Sequence, residues 1–461
     1  MTDARRSRRP ERTGRPRRAS REGHASDGPW LAYVLKAYPR ASEPFILSEI
    51  YRLERLGIPL RLFATKPAEA SDLLPRHEVV GLIRATPEFL APTASISSAP
   101  LGSWLRSHLP LFFGALVRVL LRHPVGLARA LTMMCVELYR SWRSSGRAKL
   151  AFVRELLHAV ELVDRLQTTP TVRHLHAHYA HGATTVAWFA SSMTGLPFSF
   201  TGHAKDIYAD SSNAEGVLRR KLEAARFAVT CTGANQRVLC GVAPTATVHC
   251  LYHGLNAEFS RLLASRAPSD KSPERYRILS VGRLVRKKGF DILIEAAALL
   301  RAQDIPIEVA IIGNDGDHAT DIRSLITARD LADHVAIIGP QNQARLFDEY
   351  HRAHVFCLPC RVLENGDRDG IPNVLMEAMA CGTPVVTTDV SGIPEVVRHE
   401  SNGLLVAAEN APALAQALAR GYHDGGLMAQ MAAAARRTAR EQFDGDRLAD
   451  RLAALFLETA R

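Results

Sequence analysis

This sequence predicts two successive α/β domains, each a parallel sheet covered by helices on both faces. Two observations carry that reading. Short apolar runs alternate with segments of helical period, once over residues 30–251 and again over 277–387. Parallel strands need crossover helices and are buried on both faces, which makes their sequences continuously apolar. The length of 461 residues also exceeds what one hydrophobic core usually supports.

The first series opens with a strand at Trp30–Lys36. Phe45, Ile46, Ile50, Leu53 and Leu56 then mark one helix face, and Gly57 supplies its stop. A strand follows at Ile58–Phe63, then a helical insertion over about 101–168. Further strands are expected at Val172–Ala177, Pro197–Thr201, Phe227–Cys231 and Thr247–Leu251. Helices are expected at His181–Met193, Glu215–Ala225 and Ala234–Leu239. Residues 260–276, rich in Ser, Pro, Lys and Arg, read as the linker between a first domain at 28–259 and a second at 277–440. In the second series, strands fall at Arg277–Val281, Glu308–Ile312, Val335–Ile338, Val355–Leu358 and Val385–Thr387. Phe290, Leu293, Ile294, Ala297 and Leu300 form a helix face, and helices follow at 320–330, Leu346–Arg352 and Pro372–Ala380. Residues 441–461 read as a last helix that returns to the first domain.

The net charge of +11 is unevenly placed. Residues 1–27 hold nine arginines against four acids and almost no large apolar side chain, the composition of a disordered tail. That tail has no apolar core segment of the kind a secretory signal needs. Cys357 and Cys360 form a Cys-x-x-Cys pair without a second pair, which suits two thiols at a buried strand end better than zinc. Free cysteines without a signal fit a cytoplasmic, reducing setting. No run reaches ~18 consecutive uncharged apolar residues, the length of a spanning helix. Residues 101–154 come nearest, with eight arginines, Lys149 and a single acid, Glu137. Two readings fit that segment: an amphipathic surface for an anionic membrane, or core helices with a solvated basic face.

The candidate chemistry lies at strand ends. Asp369-Gly-Ile-Pro-Asn-Val-Leu-Met-Glu377 leads from a polar loop into a helix, with Pro372 placed at its first position and Gly382 at its stop. The free N–H groups of such a helix start favour an anion such as a diphosphate. Glu377, one to two turns on, suits a ribose diol. Gly282-Arg283-Leu-Val-Arg-Lys-Lys288 offers a guanidinium fork and a compact ammonium for phosphate oxygens. Arg286 and Lys287 read as solvated, although either can substitute. His174-Leu-His176-Ala-His178 invites a metal, but no Asp, Glu or Cys lies in spacing to complete a site. No metal is therefore expected.

These motifs resemble family 4 retaining glycosyltransferases of GT-B fold, in which two Rossmann-like domains face each other across a cleft. Asp369-x7-Glu377, with the flank Met-Glu-Ala-Met-Ala-Cys-Gly-Thr-Pro-Val-Val, is similar to that family's Glu-x7-Glu motif, with Asp in place of the first Glu. Glu364 is an alternative first acid. The resemblance implies that Asp369 meets the donor sugar, that Gly370, Ile371, Pro372, Asn373 and Glu377 bind the donor, and that Arg283 and Lys288, beside Gly282, hold its diphosphate. Gly313 belongs to the family's Gly-rich turn, and residues near Gly339 to its base-contacting region. Phe198-Ser-Phe-Thr-Gly-His203 places His203 at the reaction centre, with Asp206 on the acceptor side. Tyr38-Pro-Arg-Ala-Ser42-Glu43 and the His176–His178 strand resemble the bacterial exopolysaccharide and colanic-acid group, which puts Ser42, Glu43 and His178 on the acceptor side too. The implied reaction moves a sugar from a UDP- or GDP-sugar to a saccharide or lipid-linked saccharide, with no further cofactor, at the cytoplasmic membrane face. A sugar-nucleotide epimerase shares the architecture. A nucleic-acid-binding protein explains only the basic tail, and a non-catalytic membrane scaffold explains only 101–154; no nucleic-acid partner is expected.

Overall fold

The computed structural model describes residues 30–40, 42–69, 77–96, 100–168, 171–208, 216–265 and 275–459. The basic tail expected at 1–27 lies outside the described residues. The first half contributes strands β1 (Trp30–Tyr38), β2 (Leu60–Pro67), β3 (Pro87–Phe89), β4 (Val172–His178), β5 (Phe198–Gly202), β6 (Phe227–Thr230) and β7 (Val248–Cys250). They lie side by side as β3-β2-β1-β4-β5-β6-β7, all parallel. The second half contributes β8 (Tyr276–Val281), β9 (Ile307–Ile312), β10 (Val335–Ile337), β11 (Val355–Leu358), β12 (Val385–Thr388) and β13 (Leu404–Val406), ordered β10-β9-β8-β11-β12-β13 and again parallel. Each sheet reverses its order once, between β1 and β4 and between β8 and β11. In open α/β sheets ligands sit beyond the carboxyl ends of the strands at such switch points.

The helices of the first half are α1 (Pro44–Arg55), α2 (Leu101–Arg122), α3 (Pro124–Ser145), α4 (Ala151–Leu166), α5 (Gly182–Thr194), α6 (Ala204–Tyr208), α7 (Val217–Ala224) and α8 (Gly233–Val242). Those that follow are α9 (Ala257–Ser265), α10 (Phe290–Arg301), α11 (Ala319–Ala328), α12 (Gln343–Arg352), α13 (Asn373–Cys381), α14 (Ile393–Val396), α15 (Ala411–His423), α16 (Gly425–Gln442) and α17 (Gly445–Thr459). Pro44 and Pro124 each occupy a first-turn position, where the missing N–H costs nothing. Gly126 lets α3 approach α5: a Cβ there would stand 2.2 Å from the Met193 carbonyl oxygen.

Several details differ from the sequence reading, which had neither β3 nor β13. Residues 260–265 are not linker but the end of α9, whose Phe259 is fully buried against Phe347 and Tyr350 of α12. The apolar face of Phe259, Leu262 and Leu263 outweighs the polar composition there. Pro372 is not the first helical residue; it caps α13 with extended backbone (φ −62, ψ 127), and Asn373 begins the helix. The long insertion resolves into three helices, and among the described residues α2 alone is long and apolar enough to cross a membrane by length and composition. The chain also crosses back: Leu452, Ala453 and Phe456 of α17 join the core under β1 and β6.

Candidate functional site

The candidate residues lie at the carboxyl ends of strands near the centre of each sheet. On the second sheet, β8 ends in Gly282 and Arg283, and β11 runs into the loop that carries Asp369. Gly282 is bare because the Lys288 stem lies over it; a Cβ would meet Lys288 Cε at 3.2 Å. Gly313 abuts the same turn, since its Cβ would stand 1.9 Å from the Gly282 carbonyl oxygen. Lys288 Nζ reaches Asp369 Oδ2 at 2.7 Å. Lys287 is not solvated as expected from sequence: its Nζ lies 3.3 Å from Asp369 and 3.1 Å from Asp367. The paired acids draw it inward. Burial pushes the Asp369 carboxyl up, but the two ammonium groups override this and hold it at about 2. Burial likewise opposes the Lys288 charge, and Asp369 more than restores it. Arg283 is exposed and makes no ion pair among the described residues. An exposed guanidinium and a partly buried ammonium thus follow β8, and Asp369 ties that turn to the loop that leads into α13, a combination of cations and helix start that suits an anionic diphosphate. Gly370, Ile371 and Asn373 lie at that helix start, half-buried, around buried Pro372.

Glu377 does not face open space. Asn256 Nδ2 donates to one of its oxygens at 3.0 Å and the Tyr350 hydroxyl to the other at 2.9 Å. Burial pushes this carboxyl up to about 7. Each carboxylate oxygen keeps a further acceptor site beside its protein partner. The neighbours come from α12 and the β7–α9 connection, which the spacing motif does not reveal.

On the first sheet, His203 follows β5 and is enclosed by rings. Tyr179 lies 4.6 Å from it, Phe45 5.1 Å and His253 5.2 Å between centroids. Burial holds its imidazole well below the usual value, hence neutral. Asp206 is turned into the protein rather than towards solvent. It is fully buried, takes the Ala180 and His203 backbone N–H groups, and is pushed up to about 7 by burial. Its place in α6, one turn beyond His203, makes it a brace for the His203 turn. Ser42 is exposed, while Glu43 is buried and paired with Arg40 at 2.5 Å. His178, at the carboxyl end of β4, is fully buried and contacts Glu49 at 3.0 Å.

Glu49 escaped the sequence reading. It lies in α1, 129 residues before His178, so no local spacing reveals it. The fold thereby supplies the carboxylate thought missing: ligand atoms of Glu49, His176 and His178 lie within 4.8 Å of one another, as do those of His203, Cys231 and His253. The first group is satisfied internally. Tyr33 donates to Glu49 at 2.6 Å, and His176 bonds Ser199 at 2.7 Å and Thr201 at 3.1 Å. The only signal for Glu49 was its position one turn past the Ser42-Glu43 loop.

The halves also touch. Glu395 of α14 accepts from the Gly233 and Ala234 N–H groups at the start of α8, at 2.8 and 2.6 Å, and from the Tyr252 hydroxyl at 3.2 Å. The Arg368 guanidinium lies 4.1 Å over the Tyr208 ring. These contacts bring the Asp369 loop to the first sheet's side of the cleft.

Residues 264–438 match the family described as glycosyl transferases group 1. The amylovoran biosynthesis glycosyltransferase AmsK of Erwinia amylovora is 42% identical over 144 residues, 31% of this chain and 35% of that protein. A GDP-mannose-dependent phosphatidylinositol monomannoside mannosyltransferase of Mycobacterium tuberculosis is 32% identical over 222 residues, 47% of this chain and 57% of its own length. The chain thus spans about a third to a little over half of these relatives. HepE of Anabaena, solved in complex with UDP, superposes with a TM-score of 0.63 at 17% identity, covering 93% of this chain and all of that one. Over residues 264–438 the chain is thus similar to group 1 glycosyltransferases, and as a whole it has the GT-B fold.

Proposed function

We propose that this protein is a retaining glycosyltransferase that moves a sugar from a UDP- or GDP-sugar to a saccharide acceptor in the synthesis of a cell-surface polysaccharide. The observation that carries this reading is the pairing of Lys288, which follows β8 together with Arg283, with Asp369 in the loop that leads into α13, within the stretch similar to group 1 glycosyltransferases. The donor diphosphate lies against Arg283, Lys288 and the free N–H groups of α13. Asp369 meets hydroxyls of the sugar. As the bond from the sugar's anomeric carbon to the leaving phosphate oxygen breaks, the acceptor oxygen forms its bond on the same face. The acceptor proton passes to the departing phosphate, whose negative charge the two cations stabilise. A screen of UDP- and GDP-sugars with saccharide acceptors, read by product formation, tests the reading. Transfer that persists unchanged in Arg283→Ala and Lys288→Ala would falsify it. Release of a free epimer without acceptor would favour epimerisation instead.

The acceptor is proposed to be lipid-linked, with the protein resting on the cytoplasmic face of the membrane. The outer face of α2 and α3 supports this. Phe113 is 66% exposed, Leu121 76%, Val125 71% and Trp142 56%. Arg122, Arg129, Arg140 and Arg143 flank them, and the single acid of the two helices, Glu137, is buried and paired with Arg220. An apolar face rimmed by arginines suits an anionic bilayer. The inner face of α2, through Phe112, Ala115 and Val119, packs into the protein core, which fits a helix lying on a membrane rather than crossing one.

A further inference from the structure

The sugar-transfer reading assigns His203 to the reaction centre but gives Glu49 no part. Glu49 is half-buried, and its Oε1 already accepts from the Tyr33 hydroxyl at 2.6 Å. A carboxylate only accepts hydrogen bonds. His178 Nε2, 3.0 Å from Glu49 Oε1, therefore carries a proton. In neutral His178 the other nitrogen, Nδ1, is then a lone pair. That lone pair lies 3.5 Å from His203 Nε2. The two imidazole rings are 24° from parallel, with centroids 5.7 Å apart. His203 Nδ1 has no protein partner among the described residues.

We propose that Glu49 and His178 are positioning residues for His203, forming a relay that fixes its neutral imidazole with the proton on Nε2 and the lone pair of Nδ1 free for a substrate hydroxyl. The relay crosses three elements: Glu49 comes from α1, His178 from the end of β4, and His203 from the turn after β5. The rings of Phe45, Tyr179 and His253 confine the His203 plane, and the relay fixes which nitrogen bears the proton. Partners that fix the far nitrogen of a metal-bound histidine typically change function about 10- to 100-fold when removed, and a loss of that order is expected for this relay. The inference rests on His203 facing the substrate in the proposed transfer.

The test uses the full chain with the donor and acceptor found by the screen above. Glu49→Gln keeps the shape but removes the charge. It is expected to lower kcat about 10- to 100-fold with the donor KM and thermal midpoint little changed. His178→Gln should lower kcat similarly, and the double variant should be no worse than the poorer single variant. Nitrogen-15 NMR of histidine-labelled protein, with His203 assigned by its loss in His203→Gln, should show protonated Nε2 in the wild type and a changed tautomer mixture in Glu49→Gln. Additive losses in the double variant, an unchanged kcat in Glu49→Gln, or an Nδ1-protonated His203 in the wild type would overturn the relay. So would one equivalent of bound transition metal that is lost in Glu49→Gln. An inactive wild type would instead defeat the transfer reading itself, and the NMR arm would still decide whether the relay exists.

Discussion

Asp369→Asn perturbs the donor side at its electrostatic centre. In the folded protein the Asp369 carboxylate receives Lys288 at 2.7 Å and Lys287 at 3.3 Å, and it titrates at about 2. An unperturbed aspartate titrates near ~3.9, so the folded-state preference for the ionised form is worth roughly 2–3 kcal/mol. The carboxyl is depressed on folding, so its contribution is complete above the unfolded value and is lost as pH falls from about 4 through about 2. At pH 7 the asparagine variant loses up to that amount, and Lys288 is left partly buried without its counter-charge. Each kcal/mol lowers the unfolding midpoint by about 2–4 °C in a domain of this size, so calorimetry should find a drop of roughly 4–12 °C. The gap between variant and wild type should close as both are taken from pH 4 towards pH 2. A nucleoside diphosphate should stabilise the variant at least as much as the wild type, because the freed ammonium gains an anionic partner. A midpoint at pH 7 equal to that of the wild type would refute the reasoning. So would a deficit that persists undiminished at pH 2.

Three further outcomes are expected. Arg283→Ala should leave the midpoint unchanged, since the side chain is exposed and without an ion pair, and should lower donor kcat/KM about 10- to 100-fold, the loss of a charge-assisted bond. Glu377→Gln should gain stability relative to the wild type as pH rises from 5 to 8, read by thermal melts. Its carboxyl is raised to about 7 on folding, so the folded state binds the extra proton and the wild type is penalised once that proton leaves. Phe113→Ser with Leu121→Ser should weaken sedimentation with anionic vesicles while leaving transfer to a soluble acceptor intact. Equal vesicle binding by that variant would remove α2 as the docking face.

The sequence exposes whatever is local. Strand ends, the Gly282-Arg283 turn and the Asp369–Glu377 spacing are each contained in one short stretch, and the switch points then bring those stretches together. What the sequence hides is pairing over distance. Lys287 reads as one more exposed cation in a basic loop, because Asp367 and Asp369 lie eighty residues away. Asp206 reads as a free acid beside His203, because its backbone partner Ala180 belongs to a different strand end. Glu377 reads as facing the cleft, because neither Asn256 nor Tyr350 is near it in the chain. In each case the side chain has the chemistry inferred, and only its neighbours decide whether that chemistry is offered to a ligand or used to hold the fold.

The same distinction bears on how the two halves cooperate. Gly370 and Gly392 sit where Thr232 of the other half would strike a Cβ, at 3.1 and 2.7 Å, so their small size lets the donor loop press against the start of α8. Glu395 then caps that helix from across the cleft, taking two backbone N–H groups that would otherwise need water. A carboxylate at a helix start contributes about 0.5–2 kcal/mol. That is enough to favour contact between the halves. The side of the cleft that carries Lys288 and Asp369 and the histidine pocket of His203 are therefore joined by a few polar and close-packed contacts, while each half keeps its own core.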